Sequence, residues 1–232
     1  MPARAPRRAT FFLAVPAVAG LALAIGLAAC GLPPLSSQAA PVQGTGEVVS
    51  QDRTTTPFHH VSVGAGISVI VGSGDTSVTL AAQENLLTLI TTEVRDDQLV
   101  VEVTPPGVTS TKPIALTVQA PELDSITLSA GANGTIEIES GSLAVDVSAG
   151  ATIKAIGTLD TLTLTASSGA TAKLGELQVG SAAVTLSGGS SAELHVTGAV
   201  TGSADAGSTL VLTLKPASVD VKTSGGATVQ GG

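Results

Sequence analysis

The chain has 232 residues, 43% of them hydrophobic and 12% charged, with 27 glycines; that is too apolar for a disordered protein and suits one or two globular domains. Its aromatic residues are three Phe, with no Trp or Tyr, so the core holds short aliphatic side chains and offers no aromatic platform for stacking sugars. All eighteen acidic residues follow Cys30, against seven of the ten basic ones, so a chain starting at Cys30 has a formal charge of −11, which excludes a nucleic-acid surface of clustered Lys and Arg.

Residues 1–8 hold Arg4, Arg7 and Arg8, and an apolar run follows from Phe11 to Ala29, interrupted by Pro16, Gly20 and Gly26. A basic start, an apolar middle and small residues at the end describe a secretory signal. Leu27-Ala28-Ala29-Cys30 resembles the bacterial lipobox, in which the cysteine is acylated and the chain is cut just before it. The run is near the length that crosses a bilayer, but its Pro and Gly residues and the lipobox favour cleavage over an uncleaved membrane helix. Cys30 is the one thiol of the chain, so no intramolecular disulfide is expected. The expectation is a signal peptide over 1–29, lipid on Cys30, and a flexible Pro/Ser/Ala tether over 30–43.

Residues 44–113 read as longer, irregular strands. Phe58-His59-His60-Val61-Ser62-Val63 starts an alternating run, Ile67-Ser68-Val69-Ile70-Val71 follows, and Leu99-Val100-Val101-Glu102-Val103 forms another run. Gly72-Ser73-Gly74-Asp75 and Asp96-Asp97 are turn signals. This half is expected to lead into a regular structure and to cap its first coil.

Residues 114–232 are repetitive. Gly131, Gly150, Gly169, Gly189, Gly207 and Gly226 sit in small-residue clusters such as Ser148-Ala149-Gly150-Ala151, spaced by about nineteen residues. Apolar residues stand three and five positions to either side, for example Val145, Val147, Ile153 and Ala155 around Gly150. Polar residues such as Asp146 and Lys154 fill the gaps, which is strand periodicity. Val211 breaks the alternation, and Gly202 and Ala204 weaken the unit at Gly207. Nineteen residues predict three short strands and tight corners, one turn of a β-solenoid, with coils about 4.8 Å apart. A β-sandwich is the rival, but it requires no common glycine phase.

Gly44-Thr45-Gly46, Arg53, Phe58, Val61, Gly66-Ile67-Ser68-Val69, Gly74-Asp75, Asn85-Leu86-Leu87, Thr92-Glu93-Val94 and Asp97-Gln98-Leu99, with the later Ser-Gly-Ala repeats, resemble the family called putative auto-transporter adhesin, head GIN domain. The resemblance spans about 44–232. It implies an envelope protein with an all-β, right-handed parallel β-helix, and it carries over no catalytic residue.

Individual chemistry is sparse. His59, His60 and His195 with nearby Asp and Ser raise a hydrolytic triad, but no Gly-x-Ser-x-Gly elbow occurs. His59 and His60 are adjacent on a strand, so they point to opposite faces and do not share one metal; a surface His beside an inward one is expected. Asn133-Gly134-Thr135 fits a glycosylation acceptor and reads here as a corner. Gly64-Ala65-Gly66 lacks the third glycine of a dinucleotide site. A polysaccharide-active groove would use acids such as Glu137, Asp146, Asp160 and Glu176, which do not share one repeat phase.

The resulting expectation is a non-enzymatic, lipid-anchored envelope protein, extracytoplasmic, on the cell membrane or an outer membrane. Its solenoid would act as a scaffold or adhesin-like module toward an envelope protein or polysaccharide, with no cofactor, no metal and no nucleic acid. The alternatives are a polysaccharide-active β-helix enzyme and an extracytoplasmic sensor module.

Overall fold

A computed structural model describes residues 39–231; Cys30, the expected signal peptide and most of the expected tether lie outside the described residues, and the last two tether residues, Val42–Gln43, instead form a strand parallel to Val108–Thr109. Strands dominate, and the helical element among these residues is the single 3-10 turn Glu84–Leu86. No helix among them is long and apolar enough to cross a membrane.

The repeats wind into a β-solenoid. On one face, 125–128, 144–147, 163–166, 183–186, 201–204 and 220–223 pair in parallel, each with the next. On the other, Asn133–Ile138, the first part of Thr152–Ala166, the first part of Thr171–Leu186, Ser191–Val196, Thr209–Leu212 and Thr228–Gly231 do the same. Alternation decides which side chains go in: Ser142–Val147 shows Leu143, Val145 and Val147 buried with exposed residues between. In-register apolar residues therefore stack in columns, as with Ile126, Val145, Leu164 and Val184. Each fully buried Val, Leu or Ile contributes roughly 1.5–3 kcal/mol. Large and small residues interlock: a Cβ on Gly134 would come 2.5 Å from Leu128 Cδ1.

One corner per coil is tight. Ala149 and Gly150 have φ of 50° and 73°, and the Ala151 N–H donates back to the Ser148 carbonyl at 3.1 Å. Two successive left-handed residues closed by this bond make a type I′ turn, which favours glycine at its second position. The same pair of positive φ values recurs at Ala130-Gly131, Ser168-Gly169, Gly188-Gly189, Ala206-Gly207 and Gly225-Gly226. In five of these corners the residue after the glycine is small and packed inside the bend: Ala132, Ala151, Ala170, Ser190 and Ser208 are all buried. Ser190 meets its polar need by donating to the Ala166 carbonyl at 2.9 Å.

Three expectations change here. The other bends are not tight corners between three separate strands, because Thr152–Ala166 and Thr171–Leu186 run continuously around them. Gly134 lies within the strand Asn133–Ile138 and makes no corner. Val211 does not break the alternation: Leu210 and Leu212 are buried, and Val211 faces out beside Glu193 and Gln230.

The first half holds a full coil of its own. His60–Val63 pairs with 125–128, Ser68–Ser73 pairs with 133–136, and Ala65-Gly66 makes the same left-handed corner with φ of 56° and 69°. Chain order then departs from spatial order. Residues 74–124 cross to the opposite edge of this coil, where 98–101 and Ala115–Ala120 pair in parallel with its two strands. Ser77–Gln83 and Ile90–Arg95 add antiparallel to these, and Val48–Arg53 adds antiparallel to Ser77–Gln83. The chain returns at Ser125 to the free side of the first coil. Reversed strands cap the N-terminal end, which protects the parallel stack from edge pairing.

Candidate functional surface

The histidines are separated by their partners. His59 precedes its strand, with Nδ1 2.8 Å from Asp97 Oδ2 and Nε2 4.0 Å from Glu122. The hydrogen bond to Asp97, then the negative charge of Asp97, Asp124 and Glu122, holds His59 above the ordinary histidine value. Asp97 and Asp96 form the left-handed hairpin turn between Ile90–Arg95 and Gln98–Val103, with φ of 66° and 48°. His59 thus ties the cap hairpin to the segment that begins the second coil: its carbonyl accepts from the Asp124 N–H at 2.8 Å, and its N–H donates to the Asp97 carbonyl at 3.1 Å.

His60 is half-buried on the outer side of the sheet, in register with Gln98 and Ser125, so the expected inward histidine is absent; Phe58 and Val61 are the buried neighbours. His60 Nδ1 lies 2.8 Å from Ser125 Oγ. No carboxylate among the described residues hydrogen-bonds His60, so this pair lacks the orienting acid of a triad. His195 contacts Thr213 Oγ1 at 3.3 Å. Among the described residues no group of three His, Cys, Asp or Glu is arranged to hold a metal.

The acids proposed for a groove are partly reunited. Glu137 is in register with Ile156, and Ile156 with Glu176, so these two carboxylates do share a column, two coils apart. The repeat count hides this because a bulge between Lys154 and Ile156 shifts the phase by one residue. Asp146 lies on the opposite face, between Thr127 and Thr165. Asp160 sits at a bend, its N–H donating to the Gly141 carbonyl at 2.9 Å. A separate open cleft of about 470 Å³ near the cap brings Glu137 together with Glu122, Asp124 and Glu139.

The most regular feature is on the outer faces. Ser68, Asn133, Thr152, Thr171, Ser191, Thr209 and Thr228 stand in one unbroken register column. Thr127, Asp146, Thr165, Thr185 and Ser203 form another on the opposite face. Each column repeats about every 4.8 Å. Short polar side chains, mostly hydroxyls, on a rigid sheet make a regular array of donors and acceptors with little entropy to lose on binding. The missed member of the repeat is Gly66. Val61 and Val63 before it and Val69 and Val71 after it follow the same phase rule as the later glycines. The long excursion between Gly66 and Gly131 breaks the even count that reveals the others.

Residues 57–216 match the family described as "Putative auto-transporter adhesin, head GIN domain". No curated protein matches the chain. A crystal structure of a putative adhesin from Bacteroides fragilis superposes with a TM-score of 0.66 at 15% identity, covering 82% of this chain and 99% of that one. A putative adhesin from Parabacteroides merdae gives a TM-score of 0.52 at 14% identity, covering 84% and 100%. At these identities the likeness is one of fold.

Proposed function

The chain belongs to the family described as "Putative auto-transporter adhesin, head GIN domain", and on that premise we propose that it is a non-catalytic binding module displayed outside the cytoplasm. Lipid on Cys30 holds it at a membrane, and the tether that follows, ending before Val42–Gln43 dock on the fold, lets the solenoid stand clear of the headgroups. Its ligand is an extended envelope component, a polysaccharide or a protein surface, met by the columns of short polar side chains. The observation that supports this reading is the register from Ser68 to Thr228, a repeating row of small polar groups suited to a ligand that also repeats.

The test uses cells making the full chain. Thr165→Lys, Thr185→Lys and Ser203→Lys together load one face, and Thr152→Lys, Thr171→Lys and Ser191→Lys load the other. One set should lower adhesion or the recovery of envelope polymer with the chain, and the other should not. Loss in neither set, or no change on deleting the gene, would overturn the reading. Cys30→Ser should abolish incorporation of a palmitate analogue and release the protein from membranes.

The alternative of a polysaccharide-active enzyme draws on the cleft lined by Glu122, Asp124, Glu137 and Glu139. Degradation of any member of a polysaccharide panel by the purified chain, lost in Glu137→Gln, would favour it over the binding module.

A further inference from the structure

The two ends of the solenoid are finished differently. At the cap, the edge strand Ile90–Arg95 neutralises its own charges: Arg95 pairs with Glu93 at 2.7 Å and with Glu102 at 3.7 Å. At the other end, Ser218–Thr223 and Thr228–Gly231 each have a parallel neighbour on one side and none among the described residues on the other. Val219 and Val221 continue the inner columns of Val200 and Gly202. Among the described residues no further coil covers them: Val219 is 47% exposed, and Val221 and Val229 are only partly buried against the core.

The direction of the backbone groups follows from the bonds at the strand's ends. Ser218 and Ser224 donate their N–H back to Gly198 and Ala204 of the preceding coil. Successive residues point alternately to the two sides of a strand within its sheet. The N–H and C=O of Val219, Val221 and Thr223 therefore face outward, with no partner among the described residues, which is a template for another strand.

The sequence of the edge specifies which strand fits. Asp220 and Lys222 flank Val221 on the outer face, and neither makes an ion pair among the described residues. An antiparallel strand related by a two-fold axis at Val221 sets Asp220 of one chain opposite Lys222 of the other, twice. The same pairing sets Val221 against Val221 as a hydrogen-bonded pair, and Val219 opposite Thr223. Directly opposed residues share a face, so the valines continue one core across the join. We propose that the coil over 218–231 is a tail-to-tail docking edge for a second copy of this chain, an isologous contact. One coil is a small interface, and the association is correspondingly weak, micromolar or weaker on the scale of small interfaces.

The test is cross-linking in cells that make the full chain, with the parent, which carries Cys30 alone, as background. Val221→Cys should give a covalent dimer with a short bismaleimide. Val219→Cys alone should not, but it should give one when co-expressed with Thr223→Cys. Adding Asp220→Lys or Lys222→Asp to Val221→Cys should lower the dimer fraction by on the order of tenfold. Co-expressing those two charge variants should restore it, because each supplies the charge that the other lacks. No dimer from Val221→Cys, equal dimer from Val219→Cys alone, or failure of the mixed charge variants to recover would overturn the proposal. The recovery arm also shows that both charge variants are folded.

Discussion

The backbone N–H of Gly66 donates to the carbonyl of Ala130 at 3.0 Å, the same bond that Gly131 makes to Ala149 one coil further on, at 3.1 Å. Gly150, Gly169, Gly189 and Gly207 repeat it, to Ser168, Gly188, Ala206 and Gly225. A rail of backbone hydrogen bonds thus runs along the tight corners, and its first rung joins two segments separated in sequence by the whole cap. Both residues of each corner are left-handed, so that conformation is the condition for the rail.

Substitutions at one corner should therefore differ by position. Gly150→Val places a β-branched residue at φ 73° and should destabilise by about 2 kcal/mol, and Gly150→Ala by about 1 kcal/mol. Ala149→Gly relieves a left-handed alanine but adds chain entropy, so it should fall within about 0.5 kcal/mol of the parent. Urea unfolding of the three variants checks the order; a large loss from Ala149→Gly would contradict it.

Close backbone approach should matter more than a crowded side chain. A Cβ on Gly157 would fall 1.8 Å from the Ile138 carbonyl oxygen, at φ 115°. A Cβ on Gly134 meets Leu128 Cδ1, which can rotate away. Gly157→Ala should cost more than about 3 kcal/mol and Gly134→Ala about 1 kcal/mol. Thermal melting of the two variants side by side decides it.

The core columns predict a conventional cavity cost. Leu164 is fully buried between Val145 and Val184. Leu164→Ala should destabilise by about 3 kcal/mol in chemical denaturation. Leu164→Met should cost less than about 1.5 kcal/mol, because it conserves volume.

Acidity should tighten the cap. His59 is held above its ordinary value by the hydrogen bond to Asp97 and then by the surrounding carboxylates. A value raised in the folded state means that this stabilisation is complete below the unfolded histidine value and is lost as pH rises through the folded one. Between pH 6 and 8 the contribution therefore falls with rising pH. Asp97→Asn should lower the His59 value in an NMR titration and shrink the difference in melting temperature between pH 6 and pH 8. An unchanged His59 titration would contradict the assignment.

The solenoid was legible in sequence because its two strongest signals are local and periodic. The corner glycines must recur for the rail to form, and alternation must recur for the columns to fill, so both leave an even count. What stayed hidden was non-local. Gly66 obeys the same phase as Gly131, but the excursion through residues 74–124 separates them. Nothing in a linear reading shows that 98–101 returns to pair beside His60–Val63. Glu137 and Glu176 were misplaced for the opposite reason, since a one-residue bulge corrupts the count while leaving the stack intact. The surface was less legible still: a Thr every nineteen residues reads as solubility until register makes it a column. Strict alternation led to the expectation that one of His59 and His60 faces inward, but His59 precedes the strand and does not share its pleat, and His60 faces out.

The central claim is that coils stack in an order that differs from chain order, and one pair of distances tests it. Val100, Ser62, Thr127, Asp146, Thr165, Thr185 and Ser203 form one register column in that spatial order. With spin labels on cysteines introduced in a Cys30→Ser background, the backbone separation from Ser62 to Ser203 should be about 24 Å and from Val100 to Ser203 about 29 Å, at about 4.8 Å per coil. The residue nearer in sequence to Ser203 is thus the farther in space. Pulsed dipolar spectroscopy that placed Val100 closer to Ser203 than Ser62 is would contradict the account.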